Sequence, residues 1–465
     1  MKLSVEKIFL TAIMIISTIM IIYCIKYGHN WGGDFALYIA QSKSIVNLSV
    51  NELYTLNKYS MDNSEGLIGP YLYPYGFPLL LSPIYYFFGV NFFLMKGFCG
   101  LFLILSIPII YRLFKNEFTN NLYLFAIILG FSFHADFITF SDNILSDLPF
   151  FFFSMLSLLL MTKSTTSYSR QIILGATIFF SYFTRDIGIV LLPALLSHQI
   201  QILFTKKDET RKLFVLFIPY LVFIFFFTLI KLFFPNGGAN HYSLILNKDT
   251  FFILLNNIKN YKSLITYYLF QRDSILLFLP LLSVVIIGMF QTWRQNIHFI
   301  VYTIFISLIL LIWPNFQGCR FIFPIIPFIY YFILKGIIFV WNQYKLNERG
   351  LHILLSFYLC LFLLNQLVSI NNFRKSESNS SYTYEMVNIY HYISENIPKN
   401  EVIVFFKPRV LRLFTERNAI SINKNIFAKS NANYLLIQKQ QISEDFKKEF
   451  KVIYKTENYI LIKKN

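Results

Sequence analysis

Asp34 stands after Trp31-Gly32-Gly33 and heads the stretch Asp34-Phe35-Ala36-Leu37-Tyr38-Ile39-Ala40-Gln41, just beyond a first apolar run. Phe35, Tyr38, Ile39, Ser42 and Val46 fall on one helical face, with Gln41, Lys43 and Ser44 elsewhere. The spacing predicts an amphipathic helix near 34–47 lying along a membrane surface. A carboxylate at its start can cap free N–H groups and offset the helix dipole. Held partly buried at the lipid boundary, it can also act as a general base toward a hydroxyl presented from the water. The two roles are compatible.

Other groups suit charge stabilisation. Arg320 begins an apolar run and fits either a bidentate phosphate contact or a snorkelling anchor. Lys231 has the same two readings. Arg185 adjoins Asp186 and is open to an internal pair or to an anion. Asp136, Asp142 and Asp147 lie within a dozen residues. They read as a possible divalent-cation site or as a solvated loop whose acids cap short helices. His134 and His241 can orient a substrate or simply pack. Lys335, in mid-run, reaches an inner surface and reads as structural. The aromatic runs Phe150–Phe153 and Phe225–Phe227 read as lipid-facing bulk.

The elements that must carry these groups are apolar. The chain of 465 residues is 56% hydrophobic and 19% aromatic, with only 14% charged residues. That excludes a soluble enzyme, and 54 Phe and 31 Tyr against 18 Gly and 15 Pro exclude a disordered or collagen-like chain. The apolar runs are too continuous for an outer-membrane barrel, so helices must span. Eleven candidates fall near 8–25, 93–112, 119–135, 147–162, 170–184, 187–204, 212–234, 275–291, 297–313, 320–341 and 351–369. Gly76–Val90, broken by Pro78 and Pro83, reads as a re-entrant or interfacial piece.

With the N-terminus inside, the short inner connections carry 13 basic residues, among them Lys2, Lys7, Arg112, Lys206 and Arg294. The outer side has long loops at 26–92 and 235–274. The first run lacks a small-residue cleavage site and reads as an uncleaved signal anchor. The net charge of +17 accordingly reports loop bias and anionic lipid head groups, not nucleic acid. Cys24, Cys99, Cys319 and Cys360 show neither metal spacing nor a disulfide framework.

Residues 1–370 thus form a transmembrane domain, and 371–465, with 16 basic and 9 acidic side chains, a soluble outer domain. In that tail the periodicity predicts a helix over Tyr382–Asn396, a strand over Glu401–Phe406 and a helix over Pro408–Glu416. Strands near Ala419–Ile422 and Tyr434–Gln438 and a hairpin near Lys451–Lys463 complete a small α/β domain. No internal repeat is present.

Gly33-Asp34, Tyr38 and Ala40, followed by Tyr73-Pro74-Tyr75-Gly76-Phe77-Pro78, resemble the first outer loop of GT-C fold glycosyltransferases. The nearest types are the dolichyl-phosphate-mannose protein mannosyltransferases and the bacterial lipid A aminoarabinose transferases. Ser146-Asp147-Leu148-Pro149 resembles the second-loop acidic motif. Arg185–Pro193, Arg320-Phe321-Ile322-Phe323-Pro324 and the tail's Lys407-Pro408-Arg409…Thr415-Glu416-Arg417 are similar to later landmarks. Phe35 stands where a second acid is common, and Tyr73 where a Pro-Pro motif would begin.

The resemblance implies Asp34 as catalytic base and Asp147 as second acid. It implies a polyprenyl-phosphate sugar donor, hexosyl or pentosyl transfer to a hydroxyl acceptor, and inversion at the anomeric carbon. Arg320, Lys231 and Arg185 become candidates for the donor phosphate, and Tyr38, Tyr73, Tyr75 and His241 for substrate contact. A divalent cation stays possible, and membrane lipids are the other partners. The competing readings are a transporter or lipid-linked sugar flippase, which should show repeated halves or midplane charges, and a polysaccharide polymerase or ligase of another membrane family.

Overall fold

The computed structural model describes residues 5–66, 69–163, 167–205, 213–235, 250–377, 379–442 and 450–464. Each apolar run contains a helix. Among the described residues seven helices are long and apolar enough to cross a membrane, from Glu6–Cys24 to Glu348–Lys375. The chain is built as a multi-pass membrane protein. The longest helix, Ile275–Ile312, covers 38 residues. At about 1.5 Å per residue it is nearly twice a hydrocarbon thickness of about 30 Å. Its break at Asn296, where the backbone leaves helical geometry, separates the two runs expected there.

The bundle core is a sequence of close helix pairs. Phe92–Phe114 packs on Asp147–Lys163, which packs on Tyr168–Thr184, which packs on Leu213–Phe233. Ile275–Ile312 packs along Ile326–Gln343, where Gly288 faces the Phe332 carbonyl and Gly336 the Val284 carbonyl. A Cβ at either glycine would sit 1.9 and 2.1 Å from those oxygens, so only Gly allows the backbones this close. Asn296 donates to the Tyr331 hydroxyl, which donates to Glu117 at 2.6 Å. Lys335, read as a structural residue, closes the group by pairing with Glu117 at 3.6 Å.

Three expectations are corrected. The helix Gly33–Val46 buries Phe35 through Ile39 together with Gln41, Ser42 and Ser44, so it lies inside the protein and not along a lipid surface. It is sandwiched between Gly76–Phe88 and the tail helix Pro408–Thr415. Phe150 and Phe151 are buried, because their helix is packed on two sides, whereas Phe225 is 62% exposed as lipid-facing bulk should be. The segment 235–274 is not all loop, since Thr250–Phe270 is a helix with Tyr261 buried and Tyr267 exposed.

The tail folds as expected in outline. Helix Tyr384–Asn396 begins at Thr383, whose hydroxyl accepts from the Met386 N–H. Strands β1 (Val402–Val404), β2 (Asn418–Ile420), β3 (Tyr434–Gln438), β4 (Lys451–Lys455) and β5 (Tyr459–Lys463) form one sheet in the order β2-β1-β3-β5-β4. β1 is parallel to β2 and β3, and β5 is antiparallel to β3 and β4. The tail is fastened to the first long loop. Asn30 bridges Ser380, Lys43 pairs with Glu416, the Glu65 N–H donates to the Ser421 carbonyl at 2.8 Å, and Ser60 donates to the Ala419 carbonyl.

Candidate functional site

Asp34 lies in the first turn of its helix, but Gly32 is the N-cap and no side chain caps it. The Asp34 Oδ1 accepts a 2.7 Å hydrogen bond from the Tyr73 hydroxyl, and its Oδ2 lies 3.6 Å from Arg320 Nη1. The side chain is 35% exposed, so one carboxylate has two polar partners and still reaches water.

Tyr73 is placed by its backbone. The Gln41 side chain accepts from the Tyr73 N–H at 3.0 Å and donates to the Tyr73 carbonyl at 2.9 Å. Gln41 sits two turns along the helix from Asp34, so one helix carries both the carboxylate and the amide that anchors Tyr73. The phenol stacks on the Tyr38 ring at 4.7 Å. Burial and then the Asp34 charge push the phenol's pKa up, which keeps it a neutral donor. Tyr38, also raised by burial, bonds Ser146 at 2.8 Å and joins the first loop to the second motif.

Next along the chain, Gly76 abuts the end of helix Tyr168–Thr184. A Cβ there would fall 2.5 Å from the Phe183 carbonyl, so Gly76 lets the Tyr73–Tyr75 segment sit against the residue pair preceding Arg185. Tyr75 is buried with its ring 4.2 Å from Phe234.

Asp147 opens its helix. Only 4% exposed, it is ion-paired with Arg185, which departs from helical geometry at the end of Tyr168–Thr184 to reach it. Arg185 pairs across the bundle with Asp147. Arg320 sits in a short 3-10 turn, Gly318–Phe321, opened by Gly318 at φ +69°, a conformation that favours glycine. Both guanidinium groups lie over one ring, with the Arg185 carbon 5.2 Å and the Arg320 carbon 5.3 Å from the Phe321 centroid. Burial works against the Arg320 cation, but Asp147 and then Asp34 outweigh it and the pKa is raised. Nη2 donates to Gln317 at 2.6 Å, while Nε is buried without a hydrogen bond among the described residues.

The remaining expected residues stand apart. Lys231 is exposed, with its ammonium 4.3 Å from the Phe227 ring one turn earlier, and no described contact joins it to Asp34 or Arg320. His241 lies outside the described residues. The three acids do not converge, and no metal-ligating group of three forms among the described residues. Asp142 accepts from the Lys26 N–H and pairs with buried Lys96 at 2.6 Å, with its pKa raised by burial, and it caps no helix. Asp136 neighbours His134, which is the N-cap of Ala135–Phe140 and stacks on Tyr268 at 3.5 Å, so His134 packs.

Sequence reasoning missed Gln41, Ser146 and the ring of Phe321. The first carried no signal, since its amide falls off the apolar face of the helix and its burial shows only in the fold. Ser146 and Phe321 each adjoin a charged residue that was singled out.

Comparison with family models and with curated proteins gives no match. Solved structures do match. ArnT from Cupriavidus metallidurans in the apo state aligns at a TM-score of 0.58 and 10% identity, over 99% of this chain and 98% of that one. The same protein bound to undecaprenyl phosphate gives 0.55 and 10% identity, over 98% and 97%. The archaeal oligosaccharyltransferase AglB from Archaeoglobus fulgidus, in complex with an inhibitory peptide and a dolichol-phosphate, gives 0.56 and 10% identity over 93% and 70%. The chain has the GT-C fold. Alignment over nearly all of ArnT means that the tail sheet, and not only the helices, belongs to the GT-C resemblance.

Proposed function

We propose that this protein is a membrane glycosyltransferase that moves a sugar from a polyprenyl-phosphate donor to a hydroxyl acceptor on the outer face of the membrane. The supporting observation is the pairing at Phe321 of a solvent-reaching carboxylate, Asp34, with a guanidinium, Arg320, that retains an unused N–H. A base and an anion site are side by side, which is what displacement at a phosphorylated sugar carbon requires. The similarity to lipid-phosphate-bound ArnT and AglB supports the donor class.

In the reaction, the acceptor oxygen attacks the anomeric carbon while its proton passes to Asp34. The bond from that carbon to the phosphate oxygen breaks with its electron pair, and the lipid phosphate leaves against Arg320. Attack opposite the leaving group inverts the anomeric centre. Tyr73 holds the carboxylate in orientation, and the Asp147–Arg185 pair braces the ring that carries Arg320. The soluble tail stands on the same outer side, with the N-terminus in the cytoplasm.

The test uses purified protein in proteoliposomes, a panel of polyprenyl-phosphate sugars and a mixed acceptor extract, with released polyprenyl phosphate read by mass spectrometry. Release by wild type that collapses in a folded Asp34→Asn protein is expected. No release with any donor, while labelled lipid crosses the bilayer, sinks the proposal in favour of a flippase.

A further inference from the structure

We infer that Arg409, delivered by the C-terminal domain, is a positioning residue of the Asp34 site and acts through Tyr73. This rests on the transferase reading above. Pro408, at the first position of its helix, fixes the helix start and puts Arg409 in the first turn, facing the membrane domain. The side chain is 4% exposed and runs past Gly33, whose Cβ position would be 3.9 Å from Arg409 Cδ. Nη2 donates to the Pro70 carbonyl, and the guanidinium carbon is 5.9 Å from the centroid of the Tyr73 ring. Gly69, at φ +106°, lets the loop close over the guanidinium, with Nη1 3.1 Å from where a Cβ would stand.

No described ion pair neutralises this cation, and its Nη1 makes no hydrogen bond among the described residues. Burying an unpaired charge is costly, so something nearby must benefit from it. The phenol whose ring Arg409 faces donates in turn to Asp34, which places a carboxylate one hydrogen bond beyond Tyr73. One turn on, Arg412 is also buried and its Nη1 likewise makes no hydrogen bond among the described residues, but its Nη2 donates to Asn57, which donates to the Tyr71 carbonyl at 2.8 Å. Arg412 therefore holds the loop, while Arg409 reaches the phenol. The charged and titratable groups around Asp34 are Tyr73 from the loop, Arg320 from the 3-10 turn, Tyr38 from its own helix, the Asp147–Arg185 pair across Phe321, and Arg409 from the tail.

Removing a cation from beside a carboxylate makes protonation easier. In Arg409→Gln, kcat falls about tenfold with KM for the donor little changed, and the acid limb of the pH–rate profile moves to higher pH. Arg409→Lys keeps the charge and restores the limb. Arg412→Gln loosens the loop and lowers thermal stability without moving the limb, which separates positioning from support. Circular dichroism and size exclusion of each full-length variant verify folding. An active wild type whose Arg409→Gln limb stays in place, or moves as far in Arg412→Gln, overturns the inference alone. A wild type that transfers no sugar overturns the reading beneath it.

Discussion

Asp34 and Asp147 are two carboxylates tied to the same ring through two arginines, yet they are built oppositely. Asp147 is buried and ion-paired with Arg185, which bends out of a helix end to meet it. Asp34 keeps a third of its surface in reach of water, and its arginine stands off at 3.6 Å. Charge that must stay in place is buried and paired tightly, because an unpaired buried ion is expensive. Charge that must change during a reaction is left loosely held and wet. From this contrast we propose that Asp147 serves the frame and Asp34 the chemistry.

The contrast can be broken experimentally. Asp34→Asn should lower transfer by about 10²- to 10⁴-fold, the usual worth of a positioned base, with an apparent melting temperature in detergent close to wild type. Asp147→Asn should do the reverse, costing about 3 kcal/mol of stability by stranding Arg185, with residual turnover per folded molecule. If the two variants lose stability equally, the division between frame and chemistry is wrong. Tyr73→Phe should lose about tenfold in kcat through one hydrogen bond to a charged group, and its acid limb should move upward because a donor to the carboxylate is gone. Phe321→Leu removes two ring contacts of about 1 kcal/mol or less each. It should weaken donor KM more than it lowers kcat.

The smallest effect concerns the support beneath Asp34. His29 stacks on Phe35 at 3.9 Å, accepts from the Ile144 N–H and, through its carbonyl, holds Ser381 of the tail. Burial, with Lys96 adding, pushes its imidazole down to about 3 from an ordinary value of 6.5. The folded state thus binds a proton less readily than the unfolded one. Its contribution is complete above about pH 6.5 and declines as pH falls toward 3. Thermal stability measured from pH 7 to pH 5 should decline, and His29→Asn should flatten that slope from a lower starting point.

Much of the fold was legible because membrane helices announce themselves by apolar length: each expected run contains a helix, although the run from Arg320 opens in 3-10 turns and is helical from Ile326, and the run near 119–135 ends its helix at Ser132. The tail's strands β3 to β5 were legible from alternation and turn residues. The burial of the Asp34 helix was not, because Phe35, Tyr38 and Ile39 look the same whether lipid or protein covers them. In the site, Asp34, Tyr73 and Arg320 were identifiable separately, and so were Asp147 and Arg185. Nothing in their spacing showed that one phenylalanine would gather both arginines, since that depends on where a 3-10 turn leaves residue 321. Lys231 was drawn in by its position near a helix end, and its long chain instead folds back on Phe227.

The paired hydrogen bonds between Gln41 and the backbone of Tyr73 have a consequence for how this protein can vary. An amide side chain supplying both a donor and an acceptor to one residue imitates a neighbouring strand, and it anchors Tyr73 to the helix that carries Asp34. The backbone of Tyr73 is thereby anchored directly to the Asp34 helix. The excursion between them can change over evolutionary time only where its contacts to the tail, through Asn57, Ser60 and Pro70, are kept, while the Asp34–Tyr73 pair stays in register.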